Sequence, residues 1–177
     1  MMNRLVHYGA VLLVISAIAA GLLSSVNTIT APQIEKINRE IVNKARKQVL
    51  PLAVEFKQTE EIITGEETFI PGYDATGNLV GYASTVKTNG YSGVITFVLG
   101  LDIKGTITGL KVTGHSETPG LGTNINNADW QALWIGRDES YQFDKSIDGF
   151  AGATISPEAV YTGVMKSTKA FETEVKN

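Results

Sequence analysis

Polarity along the chain separates stretches of different character. No Lys, Arg, Asp or Glu lies between Arg4 and Glu35, and residues 8–29 are almost wholly apolar or small. A helix of that length, at about 1.5 Å per residue, reaches roughly 33 Å, enough to cross a hydrocarbon core. A soluble helix would show a polar face, so a spanning helix is expected over residues 8–29 after a short tail at 1–7. Arg4 before an apolar run is also how a cleaved signal peptide begins, but the run is long for one and no small-x-small cleavage pattern follows. Arg4 favours an inside N-terminus, whereas Lys36, Arg39, Lys44, Arg46 and Lys47 crowd the far end, so charge counting leaves the topology open.

Pro32 is expected to end that helix. Beyond it Ile34, Ile37, Ile41, Ala45 and Val49 recur at helical spacing with charges between them, which predicts an amphipathic helix ending near Pro51 and a linker, together residues 30–66. The period then changes. Residues 69–73, 79–87, 94–102 and 106–113 are short β-type runs, punctuated by Asp74-Ala-Thr-Gly77, Asn89-Gly90 and Lys104-Gly105. Consecutive hairpins predict an antiparallel sheet. A last helix is expected over 157–175, with Val160, Val164, Thr168, Phe171 and Val175 on one face. The fold class is α+β: a single N-terminal transmembrane helix, then an antiparallel-sheet domain with flanking helices over 67–177.

The chain has 177 residues, a formal net charge of −3 and no cysteine. That length suits one domain beside the membrane segment. The charge leaves no basic surplus for a nucleic-acid backbone, so that partner is not expected. Without cysteine, iron–sulfur clusters, thiolate zinc sites, disulfides and Cys nucleophiles are excluded, and any redox chemistry needs an organic cofactor. His115 has no second histidine near it and His7 lies at the membrane, so no metal site is expected. No Ser-His-Asp arrangement, Walker loop or Rossmann glycine pattern appears.

Two loops hold the candidate chemistry. In Gly152-Ala-Thr-Ile-Ser156-Pro157-Glu158, Ser156 reads as a helix N-cap, Pro157 as the first helical residue and Glu158 as a first-turn acid. The Thr154 hydroxyl would lie near the positive helix end, where a phosphate is favoured, and Gly152 and Ala153 leave room beside it. On these residues alone an ordinary loop before a capped helix is the simpler reading. In His115-Ser-Glu-Thr-Pro-Gly-Leu-Gly122, Gly120 and Gly122 let backbone N–H groups approach a flat ligand, with Leu121 and Tyr91 as apolar cover. Glu117 and Thr118 either bond to that ligand or satisfy the loop. Trp130 and Trp134 are expected in the core, with lining the ligand as the alternative. Lys87, Lys104 and Lys111 read as solvated strand residues.

The run Asp148-Gly-Phe-Ala-Gly-Ala-Thr-Ile-Ser156 resembles the flavinylation motif of the FMN-binding domain family: Asp, two or so variable residues, Ser/Thr-Gly-Ala-Thr, one residue, then Ser or Thr. Ala151 departs from it, standing where Ser or Thr is common. Gly114-His-Ser-Glu-Thr-Pro-Gly-Leu-Gly122 and Asn89-Gly-Tyr-Ser-Gly-Val-Ile95 are similar to two further segments of that family, in the same order, so the likeness covers about 69–171. The resemblance implies FMN joined through its phosphate to Thr154 by a flavin transferase that uses FAD, with Asp148 contributing to transferase recognition. It implies a cofactor site made by Thr154, Gly152, Ala153, Ser156, Tyr91, Glu117, Thr118, Gly120, Leu121 and Gly122.

With the single span and the short length, the motifs resemble the G-subunit family of Rnf-type ion-translocating electron transport complexes. That implies an electron-carrier subunit, without catalysis of its own, in a ferredoxin:NAD oxidoreductase coupled to sodium or proton translocation. The implied partners are the complex's other membrane and cytoplasmic subunits, the flavin transferase during maturation, and membrane lipid. The implied location is the bacterial inner membrane, N-terminus cytoplasmic and FMN domain on the extracytoplasmic face. The C subunit of the sodium-pumping NADH:quinone reductase has the same motif but is typically longer. A membrane-tethered binding or assembly protein with the motif unused has Ala151 as its support. A stand-alone flavin reductase lacks a pair of residues set as proton donor and substrate clamp.

Overall fold

The computed structural model describes residues 2–65 and 67–176. Its first element is one helix, α1 (Met2–Val49), which runs through Pro32 without ending. The expected break into a spanning helix and a separate amphipathic helix does not occur. Proline removes one backbone donor but keeps a helical φ, so a helix with many other bonds can carry it. The hydroxyls of Ser25, Thr28 and Thr30 turn back onto the Gly21, Ser24 and Val26 carbonyls at 2.8, 2.9 and 2.9 Å, so each has an acceptor within the helix. This helix contains an apolar window long enough to cross a membrane.

The chain divides into compact units at 1–40 and 41–177. The second holds an antiparallel sheet of six strands: β1 (Glu55–Phe56), β2 (Ile62–Thr64), β3 (Glu67–Tyr73), β4 (Leu79–Asn89), β5 (Val94–Asp102) and β6 (Ile107–Gly114). Their order is β1-β3-β4-β5-β6, with β2 also on β3. Strands β3 to β6 are the β-type runs expected between the turn residues. β1 and β2 are too short for a period to show. The β5–β6 turn closes where Asp102 Oδ1 accepts the Lys104 and Thr106 N–H groups at 2.8 and 2.9 Å, and Gly105 takes φ +90°.

Strand β5 is apolar nearly throughout because both of its faces are covered. Ile95, Phe97, Leu99 and Leu101 point to the main core, formed with Phe69 and Val86 of the sheet and with α2 (Ala128–Ala132) and α3 (Ile155–Glu174). Val98 and Ala83 face the other way, onto Ala45 and Val49 of α1. The helix end comes this close because glycines lie beneath it. A Cβ on Gly100 would sit 2.4 Å from the Val49 carbonyl oxygen, and one on Gly109 would sit 2.7 Å from the Val49 Cα. The Thr108 hydroxyl donates to the Val49 carbonyl at 2.6 Å and satisfies an acceptor of the helix's last turn. Ala45 and Val49 are thus core residues, and the compact unit starts at Ile41 rather than at 67, while Ile34, Ile37 and Ile41 are exposed.

Candidate functional site

Three segments distant in sequence meet at one end of the sheet: the β4–β5 loop, the loop after β6, and the start of α3. Glu117 joins them. It is 4% exposed, and its carboxylate accepts the Tyr91 N–H at 3.3 Å, the Ser92 N–H at 3.0 Å and the Ser156 hydroxyl. Burial would raise the Glu117 pKa, but the Ser156 hydroxyl, the two N–H groups and nearby His115 outweigh it, and the carboxyl titrates below its ordinary range. His115 braces the same loop, its Nδ1 accepting the Glu117 N–H at 3.2 Å and its Nε2 lying 2.6 Å from Asn126 Nδ2. Gly122 is the residue that lets the segments close: a Cβ there would lie 2.5 Å from Ser156 Oγ and 2.7 Å from Glu117 Oε2.

Helix α3 begins earlier than its sequence signals suggest. Its N-cap is Thr154, whose carbonyl accepts the Glu158 N–H at 3.1 Å, and Ser156, expected as the cap, lies inside the first turn. The buried Glu117 carboxylate takes the Ser156 hydroxyl, which is therefore not available to cap. Pro157 still falls in the first turn, where a missing N–H leaves no helical bond unmade. Thr154 is exposed and its side chain makes no capping hydrogen bond, so a free hydroxyl stands at the positive end of a 20-residue helix. The preceding turn is closed by the Ala153 N–H on the Phe150 carbonyl at 3.0 Å, with Gly152 at φ +77°. Ala151 is exposed on that turn, where a methyl group leaves no buried polar group unsatisfied.

These segments enclose a cavity of about 260 Å³ lined by Tyr91, Glu117, Thr118, Leu121, Gly122, Gly152, Ala153, Thr154, Ile155 and Ser156. Every residue expected around a cofactor is on its wall except Gly120, which shapes the loop at φ +76° and donates its N–H to Thr123 Oγ1 at 3.0 Å. Ile155 is the addition; in the sequence it reads only as the variable residue after Gly-Ala-Thr. Tyr91, Leu121 and Ile155 are exposed apolar side chains around the mouth. A cavity of about 600 Å³ lies elsewhere, lined by Arg46, Glu61, Glu67, Lys87 and Lys166 among others, and shares no residue with this one. Size alone would favour that larger cavity. Chemistry favours the smaller, where the three motifs meet.

Asp148 anchors the segment before Thr154. It is 1% exposed, and its carboxylate is held by Arg137 Nη1 at 2.8 Å, the Tyr141 hydroxyl at 2.6 Å and the Asp144 N–H at 2.9 Å. Its carbonyl accepts Trp130 Nε1 at 2.8 Å. A carboxylate so enclosed fixes the loop leading to Thr154. The Arg137 guanidinium stacks 3.7 Å over the Tyr141 ring, and burial, then the bond to Asp148, pushes the Tyr141 phenol up to about 12. Arg137 and Tyr141 carried no sequence signal, being single residues in an irregular segment. Trp130 and Trp134 pack edge to face with centroids 5.9 Å apart in the main core, and neither lines the cavity.

The site fits FMN: a helix N-terminus for the phosphate, small residues beside it, and apolar side chains for a flat ring. The FMN-binding domain family matches residues 90–169. Over 163 residues the chain is 36% identical to the G subunit of the ion-translocating oxidoreductase complex of Methanosarcina acetivorans, spanning 84% of this chain and 85% of that one. It is 31% identical over 187 residues to the G subunit of the Na(+)-translocating ferredoxin:NAD(+) oxidoreductase complex of Acetobacterium woodii, spanning 93% and 90%. Its fold is similar to that of the crystal structure of Shewanella oneidensis NqrC, with a TM-score of 0.52 at 19% identity over 70% of each chain.

Proposed function

Because the chain belongs to the G-subunit family of ion-translocating oxidoreductase complexes, we propose that it is the membrane-anchored electron carrier of such a complex, holding FMN as a phosphoester on Thr154. The observation that carries this reading is the Thr154 hydroxyl, exposed, unused in capping, and on the wall of the cavity at the start of α3. When bound, FMN supplies one- and two-electron redox chemistry. The residues supply its setting. The N-terminal turn of α3 favours the phosphate charge. Tyr91, Leu121 and Ile155 cover the ring from water, and Glu117 keeps the three loops in register. Gly152 and Ala153 leave the hydroxyl open to a flavin transferase.

On this reading α1 anchors the protein in the bacterial inner membrane, with the N-terminus cytoplasmic and the flavin domain on the extracytoplasmic face. Its partners are the membrane and cytoplasmic subunits that link ferredoxin oxidation and NAD reduction to sodium or proton movement, and membrane lipid surrounds α1. The likeness to NqrC keeps a second reading in view, as the C subunit of a sodium-pumping NADH:quinone reductase. Identity over nearly the whole of the G-subunit relatives favours the first.

A direct test is to make the full chain alongside an active flavin transferase and run it on a denaturing gel. In-gel flavin fluorescence is expected from the wild type and not from Thr154→Val. Equal fluorescence from both would remove Thr154 from the reading, and none from either would remove the covalent flavin.

A further inference from the structure

We propose that the buried Glu117 carboxylate lowers the reduction potential of the flavin whose site it walls, and so acts as the electrostatic control of this electron carrier. The inference rests on the FMN reading of the cavity and adds to it a role for one residue. Among the described residues that line the cavity, Glu117 carries the one formal charge. No Lys or Arg forms an ion pair with it among the described residues. Its partners are dipoles: the Tyr91 and Ser92 N–H groups and the Ser156 hydroxyl.

These partners spread the charge without cancelling it, and they favour the ionised form, because hydrogen bonds donated to a carboxylate are stronger than those to a neutral acid. The depressed titration of Glu117 agrees. Two glycine backbones lie close against the group. A Cβ on Gly90 would lie 2.4 Å from Glu117 Oε1, and one on Gly122 would lie 2.7 Å from Oε2. At 4% exposure and with no ion-pair partner among the described residues, this charge is screened less than a solvent-exposed one and acts over several ångströms. His115 is the titratable neighbour that acts on Glu117, and its Nδ1 accepts the Glu117 N–H.

The sign follows from charge balance. Near neutral pH, reduction of the ring by two electrons with uptake of one proton from solvent adds one net negative charge. The Glu117 carboxylate repels that charge and favours the oxidised ring, which places the potential lower than the same site would give without it. Such a residue positions charge rather than reacting.

The test uses the full chain in detergent, loaded by co-produced flavin transferase, with loading confirmed from the mass of the Thr154 peptide. Dithionite, oxidised to bisulfite, supplies the electrons in a titration followed by flavin absorbance. Glu117→Gln is expected to move the midpoint to more positive potential, and Glu117→Asp, which keeps the charge, to move it less than half as far. Ser156→Ala removes a donor while keeping the carboxylate, and is expected to move the midpoint the opposite way, to more negative potential. Loaded variants that titrate at the wild-type midpoint, or a Gln and an Ala variant that move in the same direction, would overturn the proposal while leaving the flavin site intact. If Glu117→Gln does not fold or load, Ser156→Ala decides: a negative shift supports the proposal, and a zero or positive shift overturns it. A wild-type Thr154 peptide without FMN would overturn the site reading and this inference together.

Discussion

Arg137 Nη1 lies 2.8 Å from Asp148 Oδ1, in an ion pair whose side chains are 14% and 1% exposed, six positions before the threonine that opens on the cavity. Removing one partner strands the other charge in a buried place, which costs about 3–5 kcal/mol. Asp148→Ala is therefore expected to lose that order of stability in urea denaturation and to load FMN poorly, because the turn before Thr154 loses its support. A residue that serves only as a transferase contact would give the opposite split, with loading lost and stability kept.

The packing of the α1 end over the sheet depends on two glycines under Val49. Gly100→Ala and Gly109→Ala each force a methyl group against helix backbone, and overpacking of this kind costs about 1–3 kcal/mol. Both are expected to lower the melting temperature while leaving the flavin cavity, which neither glycine lines, able to load. Wild-type melting in both variants would show that the helix end does not rest on the sheet.

Gly122→Ala is expected to act at the site itself. Its Cβ would meet Ser156 Oγ and Glu117 Oε2 at 2.5 and 2.7 Å, so the loop after β6 must move off α3. Loading with FMN should fall several-fold while far-UV circular dichroism stays that of the wild type. Undiminished loading would mean that the loop need not close on the helix.

Tyr141 gives a pH dependence with a definite sign. Its phenol is raised from 10.0 to about 12 in the folded chain, first by burial and then by its bond to Asp148. The protonated form is the one favoured on folding, so its contribution is full below pH 10 and is lost as pH rises toward 12. Denaturant stability of the wild type should fall across this window more steeply than that of Tyr141→Phe. Equal slopes would show that folding does not raise the Tyr141 phenol.

The sequence was most readable where neighbours decide the structure. Strands β3 to β6 show as β-type runs between turn residues, and the cavity's glycines and Thr154 sit in short motifs that can be recognised whole. It was least readable where a distant partner decides. Ser156-Pro157 has the local signature of a helix start, but the acceptor that takes the Ser156 hydroxyl, Glu117, is 39 positions away. Asp148 has the composition of a surface loop residue and becomes buried only because Arg137 and Tyr141 reach it. Pro32 reads as a stop, yet the helix around it is long enough to continue.

Covalent FMN on Thr154 is the central claim, and the mass of one peptide tests it most directly. The full chain is made with an active flavin transferase, digested, and the peptide holding Thr154 weighed beside that of Thr154→Val. The Val variant should fold as the wild type does, since the Thr154 side chain makes no capping bond. The expected result is a wild-type peptide heavier by one FMN less water, with the added mass on Thr154, and a Val peptide of unmodified mass. A wild-type peptide of unmodified mass, from protein made beside a transferase that loads a known acceptor, would contradict it.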